Sequence, residues 1–195
     1  MFFHSIPSLF IFLPFIFLTY PLIRKFFHKV SNLYLLIFSL LFYSYDVPWF
    51  IFPLCISALS DYFLSRRLVN QIHLKNKTRV ILLSTSFLIN IGLLIIFKYS
   101  IFISSNFNID FSNQIFTSID SLLLPAGISF YTFQTLSFTI DSFKKKISIM
   151  PDFIDYFLYV SYFPQLVAGP ILRPYQFFDN NSNILLNRGN YLIKT

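Results

Sequence analysis

The sequence predicts an all-α protein that crosses a membrane several times through short and broken helices. Three observations carry this. Apolar residues make up 55% of the 195 residues and charged ones only 12%, and the apolar residues fall in long runs, not at the 3.6-residue spacing of a half-exposed helix. Lys and Arg cluster at the ends of those runs, where the positive-inside effect places them. Between Leu122 and Arg173, polar residues, Pro and Gly interrupt the apolar chain where a plain anchor would carry Leu and Val.

The same composition narrows the function classes. A net charge of +7 does not point to nucleic acid, because the basic residues sit where anionic lipid headgroups attract them. The single Cys55 excludes an intrachain disulfide and a Cys-rich metal site, and reads as a buried, inert thiol. His4, His28 and His73 share no ligand spacing, so no metal is expected. Glu is absent.

Along the chain, residues 1–195 read as a single membrane domain. The run 6–23 is long enough to span, since about 20 residues cross about 30 Å of hydrocarbon. Its positive charges follow it, at Arg24, Lys25 and Lys29, which favours an uncleaved helix over a signal peptide. The run 33–64 is interrupted by Asp46-Val47-Pro48, so two short helices, Asn32–Tyr45 and Trp49–Leu64, are expected as a hairpin in a thinned bilayer. Arg66–Arg79 carries five Lys or Arg residues and reads as a cytoplasmic loop. The clearest span is 80–103, with Lys98 snorkelling beside Tyr99. Ser104–Ser121, with Asp110 and Asp120 but no Lys or Arg, is then exterior. A span over 122–143 returns to Lys144-Lys145-Lys146, and 152–170 forms a short or re-entrant segment. The charges give one consistent topology with the N-terminus outside.

The last two segments carry the chemistry. On a helix at about 100° per residue, Gly127, Gln134, Ser137 and Asp141 share a sector of roughly a quarter turn. Thr132, Thr135 and Thr139 form a second stripe, of the kind that lets membrane helices approach closely. An amide at the depth of Gln134 needs a partner or water, and Asp141 can pair with a nearby Lys. Asp152 and Asp155 suit the N-terminal dipole of the next helix. Pro164 removes one backbone hydrogen bond and frees a carbonyl near Val160, and Gly169-Pro170 breaks the chain again. Such backbone at membrane depth lines a cavity or is buried in protein.

Leu124-Pro125-Ala126-Gly127-Ile128-Ser129-Phe130-Tyr131-Thr132-Phe133-Gln134, followed by Ile140-Asp141, resembles the "LPxGISFYTFQ…ID" signature of the membrane-bound O-acyltransferase family. Tyr159–Arg173 resembles its "FFPQLVAGPIxR" signature, through Pro164, Gly169 and Pro170. Leu41–Trp49, Asp61–Leu68 and Phe97-Lys98-Tyr99 are similar to the N-terminal half of its alginate O-acetyltransferase-like bacterial branch, with the D-alanyl-lipoteichoic acid branch as the nearer competitor. The resemblance implies a bacterial inner-membrane enzyme that moves an acyl group, often acetyl, to a hydroxyl of a cell-envelope or exported polysaccharide. The donor, an acyl-CoA or acyl-carrier thioester, enters from the cytoplasm, the acceptor from outside, and no bound cofactor is implied. Membrane lipids, a polysaccharide acceptor, accessory acetylation proteins and a separately encoded C-terminal half are the partners this implies.

The family's catalytic His lies downstream of the second block, and none of the three histidines here occupies its place. No residue is therefore assigned as catalytic. The chain reads as the N-terminal part of an acyltransferase, a fragment expected to be inactive alone. Two other readings stand: a non-enzymatic membrane subunit or degenerate remnant, and a small transporter. Gln134, Gln165 and Arg173 are placed on the tunnel or its mouth, with Asp141 near the cytoplasmic entrance. Arg173 either meets an anionic group of the donor, pairs with Asp179, or sits at the headgroup interface.

Overall fold

The computed structural model describes residues 10, 12–27, 30–45, 47–71, 75–99, 127–168, 173, 174, 177 and 178. His4, His28, His73, Asp46, Pro125, Gly169, Pro170, Asp179 and the expected exterior stretch Ser104–Ser121 lie outside them. The described residues form helices and no strand. They are α1 (Leu13–Phe26), α2 (Ser31–Ser44), α3 (Ile51–Asn70), α4 (Asn76–Leu94), α5 (Ile128–Phe143), α6 (Phe153–Ser161) and the short α7 (Phe163–Ala168). The protein is all-α.

Local chemistry sets most of these boundaries. Val47 is extended ahead of Pro48, which splits α2 from α3 as expected. A single 3-10 turn, Pro48–Phe50, leads into α3. That helix then runs to Asn70, beyond the expected Leu64, and takes Arg66 and Arg67 out of the expected loop. Nothing between Leu64 and Asn70 breaks a helix, and Arg in a last turn complements the carboxyl-end dipole. At 23 residues, Pro48–Asn70 is long enough to cross a bilayer, so the second half of the expected hairpin is not short. Asn76–Tyr99 is also long and apolar enough; its last turn, Ile95–Tyr99, widens to a π-helix.

α5 begins at Gly127, whose φ of 73° is left-handed, and closes on Lys145, also left-handed at φ 58°. Lys146 N–H bonds Asp141 O and Lys145 N–H bonds Ser142 O, satisfying carbonyls that the helix end would otherwise leave open. α6 stops at Ser161, inside the expected segment 152–170 and ahead of the break expected at Pro164, and Tyr162 leaves the helical region. Pro164 therefore falls in the first turn of α7, where a missing N–H costs nothing.

Helices α3, α4 and α5 pack on one another, while α2 packs on α6 and α7. The core between them is aromatic: Tyr131, Phe138, Tyr156 and Tyr159 are fully buried. The outer faces are apolar too. Phe17 is 73% and Leu88 76% exposed, a surface that suits lipid and not water. This is a membrane protein turned outward to hydrocarbon.

Candidate functional site

The two motif-bearing stretches meet in space. Gly127, at the start of α5, lies against Leu166 of α7 so closely that an added Cβ would be 2.8 Å from the Leu166 carbonyl oxygen. A side chain there would be strained twice, by that clash and by the left-handed backbone. One turn further along, Tyr131 is fully buried, edge-on to Tyr43 of α2 with ring centres 6.5 Å apart.

The break between α6 and α7 is finished by Gln134. Because α6 ends at Ser161, the Phe163 N–H that would have closed on Tyr159 O turns instead to Ser39 Oγ of α2, at 3.4 Å. Gln134 Nε2 donates to Tyr159 O at 2.6 Å. The partner expected for a buried amide is this carbonyl; it is Tyr159's, left open by the end of α6 and not, as expected, one near Val160 freed by Pro164. Gln134 is 2% exposed, and its donor serves backbone.

Gln165 differs. It is 4% exposed, and neither atom of its amide has a hydrogen-bond partner among the described residues. The other expected site residues are spread out. Asp141 is half-buried near the lysine end of α5, and Arg173 is exposed, its carbonyl accepting the Phe177 N–H at 3.2 Å. Ser129 accepts from Lys98 Nζ at 3.0 Å, and that ammonium also lies 5.4 Å from the Tyr99 ring centre. The snorkelling expected of Lys98 becomes a specific bond. Pro164 is half-buried in α7.

The threonine stripe is a packing face. Thr139 Oγ1 lies 3.0 Å from Ser65 Oγ of α3. Thr135 Oγ1 lies 3.1 Å from Ser57 Oγ and 3.2 Å from Asn90 Oδ1 of α4. Behind it stands a cluster that the sequence reading missed, centred on the fully buried Asp61. Ser86 Oγ donates to Asp61 Oδ1 at 2.6 Å and Asn90 Nδ2 to Asp61 Oδ2 at 2.8 Å. Ser57 Oγ donates to Asn90 Oδ1 at 2.6 Å. The signal was present: Ser57, Asp61 and Ser65 recur every four residues on α3, as Ser86 and Asn90 do on α4, so each set shares one face.

Arg79 was read as one more loop charge. It is 4% exposed, and its guanidinium donates to Leu68 O at 3.2 Å, Ser142 O at 3.5 Å and Phe143 O at 2.6 Å. It caps α5 and ties it to the ends of α3 and α4. A cation is favoured at such a carboxyl end. At the same end of the molecule, Asn32 Nδ2 of α2 donates to Asp155 Oδ1 of α6 at 2.8 Å. Asp155 thus bonds across helices as well as occupying the first turn.

Comparison with known proteins places this arrangement. The chain is 32% identical over 180 residues to the probable alginate O-acetylase AlgI of Pseudomonas aeruginosa, covering 89% of the chain and 33% of that protein. It is 32% identical over 191 residues to the AlgI of Pseudomonas putida, 94% of the chain and 37% of that protein. It is 30% identical over 207 residues to a peptidoglycan O-acetyltransferase of Helicobacter pylori, 91% of the chain and 38% of that protein. The chain is a relative of these O-acetyltransferases. The resemblance to an alginate O-acetyltransferase-like branch is borne out, across nearly the whole chain. The chain spans about a third of the length of the relatives it matches. No family model matches it, and no solved structure does.

The described residues form a scaffold with a polar break between α6 and α7. The described residues contain no histidine and no group of three or more His, Cys, Asp or Glu residues able to hold a metal. What they can do is position: one amide fixes a carbonyl at the break, and a second, Gln165, stands buried beside it.

Proposed function

We propose that this chain forms part of a membrane-bound O-acyltransferase of the bacterial inner membrane. The intact enzyme transfers an acetyl group from a thioester donor to hydroxyls of a cell-envelope or exported polysaccharide. The observation that carries this is the contact of the two signature blocks, Gly127 on Leu166 and Gln134 on Tyr159 O. Residues that make the likeness in sequence also make one wall in space. The relatives' printed names, alginate O-acetylase and peptidoglycan O-acetyltransferase, support acetyl as the group and a polysaccharide as the acceptor.

On this reading Gln165 and Arg173 stand along the donor's path, Gln134 holds that wall together, and Asp141 marks the lysine-side mouth. Attack of a hydroxyl on a thioester needs a general base within hydrogen-bond reach, and a further segment or subunit supplies it. Lys144, Lys145 and Lys146 stand at the cytoplasmic face, and the donor approaches from there.

The test is acetylation of polysaccharide by membranes containing this chain, alone and co-produced with the C-terminal two thirds of a relative. Transfer is expected only in the second case. Transfer by the chain alone would remove the requirement for a second part. Its absence in both would sink the acyltransferase reading.

A further inference from the structure

Asp61 lies midway along α3 and is completely buried. Ser86 Oγ and Asn90 Nδ2 bond its two oxygens, and Thr135 Oγ1 faces the same carboxyl. All three neighbours are uncharged. An ionised carboxylate in such a place costs more than two neutral donors return, so a positive charge has to come from somewhere.

No described Lys or Arg supplies it. On α4, Arg79 stands seven residues before Ser86, about 10 Å along the axis, and donates to the Leu68, Ser142 and Phe143 carbonyls. Lys98, eight residues beyond Asn90 and about 12 Å away, bonds Ser129. Arg66 and Arg67 of α3 itself are exposed. α5 presents a second acid, Asp141, six residues beyond Thr135, while α6 presents the uncharged phenols of Tyr156 and Tyr159, and α2 that of Tyr43.

Two things can neutralise the acid, a proton or a small metal cation, and Asn90 separates them. Its Nδ2 faces Asp61 and the Ser86 carbonyl, while its Oδ1 accepts from Ser57 at 2.6 Å. A cation at the carboxyl would need the amide oxygen there and meets an N–H instead. A proton needs no cavity. Thr135 can accept it, because its own hydroxyl proton has Thr132 O at 3.1 Å, which leaves its oxygen open.

We propose that Asp61 sits in the membrane as an un-ionised carboxylic acid, and that its proton is the latch closing α3, α4 and α5 on one another. The acid donates to Thr135 of α5 while Ser86 and Asn90 of α4 hold its oxygens, so one neutral group ties three helices. Loss of the proton leaves a bare negative charge facing the Thr135 oxygen, and the seam loosens. α5 carries the first signature block, so its seating depends on pH. The latch is independent of the acyl-transfer reading.

The sign of that dependence follows from proton counting. The unfolded chain releases this proton at about pH 4, so above that the folded form binds one proton more. The stability Asp61 contributes is full below about pH 4. It falls as pH rises, tenfold in the folding constant per pH unit, until the seam itself releases the proton.

The experiment takes the full chain in lipid nanodiscs and records the infrared difference between the wild type and Asp61→Asn at about pH 7. The carbonyl band of an un-ionised carboxyl, shifting in heavy water, is expected in the wild type alone. Between about pH 5 and about pH 7 the unfolding constant should rise about a hundredfold in the wild type relative to Asp61→Asn.

A missing band, or equal pH dependence in the two proteins, means an ionised Asp61 and overturns the proposal. A missing band together with stability that rises with sodium chloride only in the wild type assigns the charge to a metal ion, and overturns it too. If Asp61→Asn does not fold, Asp61→Leu takes its place in the subtraction. If neither folds, the wild type labelled with carbon-13 at its aspartate carboxyls is read alone, and absence of an un-ionised band ends the proposal.

Discussion

The α3–α4–α5 seam and the α6–α7 break both bury polar groups against α5, but they finish them differently. In the seam, Asp61, Ser86, Asn90, Ser57 and Thr135 bond one another, and the three helices lock in register. At the break, Gln134 satisfies Tyr159 O, while the Gln165 amide one short helix away satisfies nothing among the described residues. A fully connected polar network in a membrane core specifies structure. A half-connected one leaves a desolvated group uncompensated. Sequence polarity alone does not separate the two cases, because both read as polar residues in hydrocarbon.

Substitutions sharpen that contrast, and the largest effect belongs to the backbone of the break. Gly127→Ala forces a Cβ against Leu166 O at a left-handed φ, and should cost about 3 kcal/mol in detergent unfolding. Arg79→Ala removes the donor to Leu68, Ser142 and Phe143 carbonyls, for about 2.5 kcal/mol by the same measurement. Arg79→Lys should recover only part of it, since an ammonium lacks the planar fork.

Within the seam, Asp61→Leu leaves the Ser86 hydroxyl and one Asn90 N–H without their acceptor, and about 2 kcal/mol is expected. Asp61→Asn should cost less, because one acceptor remains. The smallest effect is the most telling. Gln165→Leu should change stability by about zero or raise it slightly, because it removes a buried amide that has no partner. A loss as large as that of Asp61→Leu would erase the distinction between the two regions.

Much of the fold was legible. Pro48 marked the α2–α3 break because a residue before proline avoids the helical region. Pro164 marked a second break, placed slightly too far along: proline is harmless in a first turn, so the helix ended before it rather than at it. The polar residues Gln134 and Gln165 stood out against Leu and Phe and are both buried. Asp61 and Arg79 did not stand out. Asp61 lies in a stretch mixed enough to pass for interfacial, and Arg79 follows other basic residues, so its burial depends on carbonyls from a helix 63 and 64 residues away. Local sequence carries no record of such a partner.

That separation has a consequence for biogenesis. When α3 and α4 leave the ribosome as a hairpin, Arg79 has only the Leu68 carbonyl, 11 residues behind it, to bond. Its other partners, Ser142 and Phe143, are made last in α5. Until then the guanidinium belongs in the headgroup layer, holding the hairpin's lower end at the bilayer surface. Once α5 is in place its last two carbonyls complete the set, so the latch among the three helices closes only with the late helix.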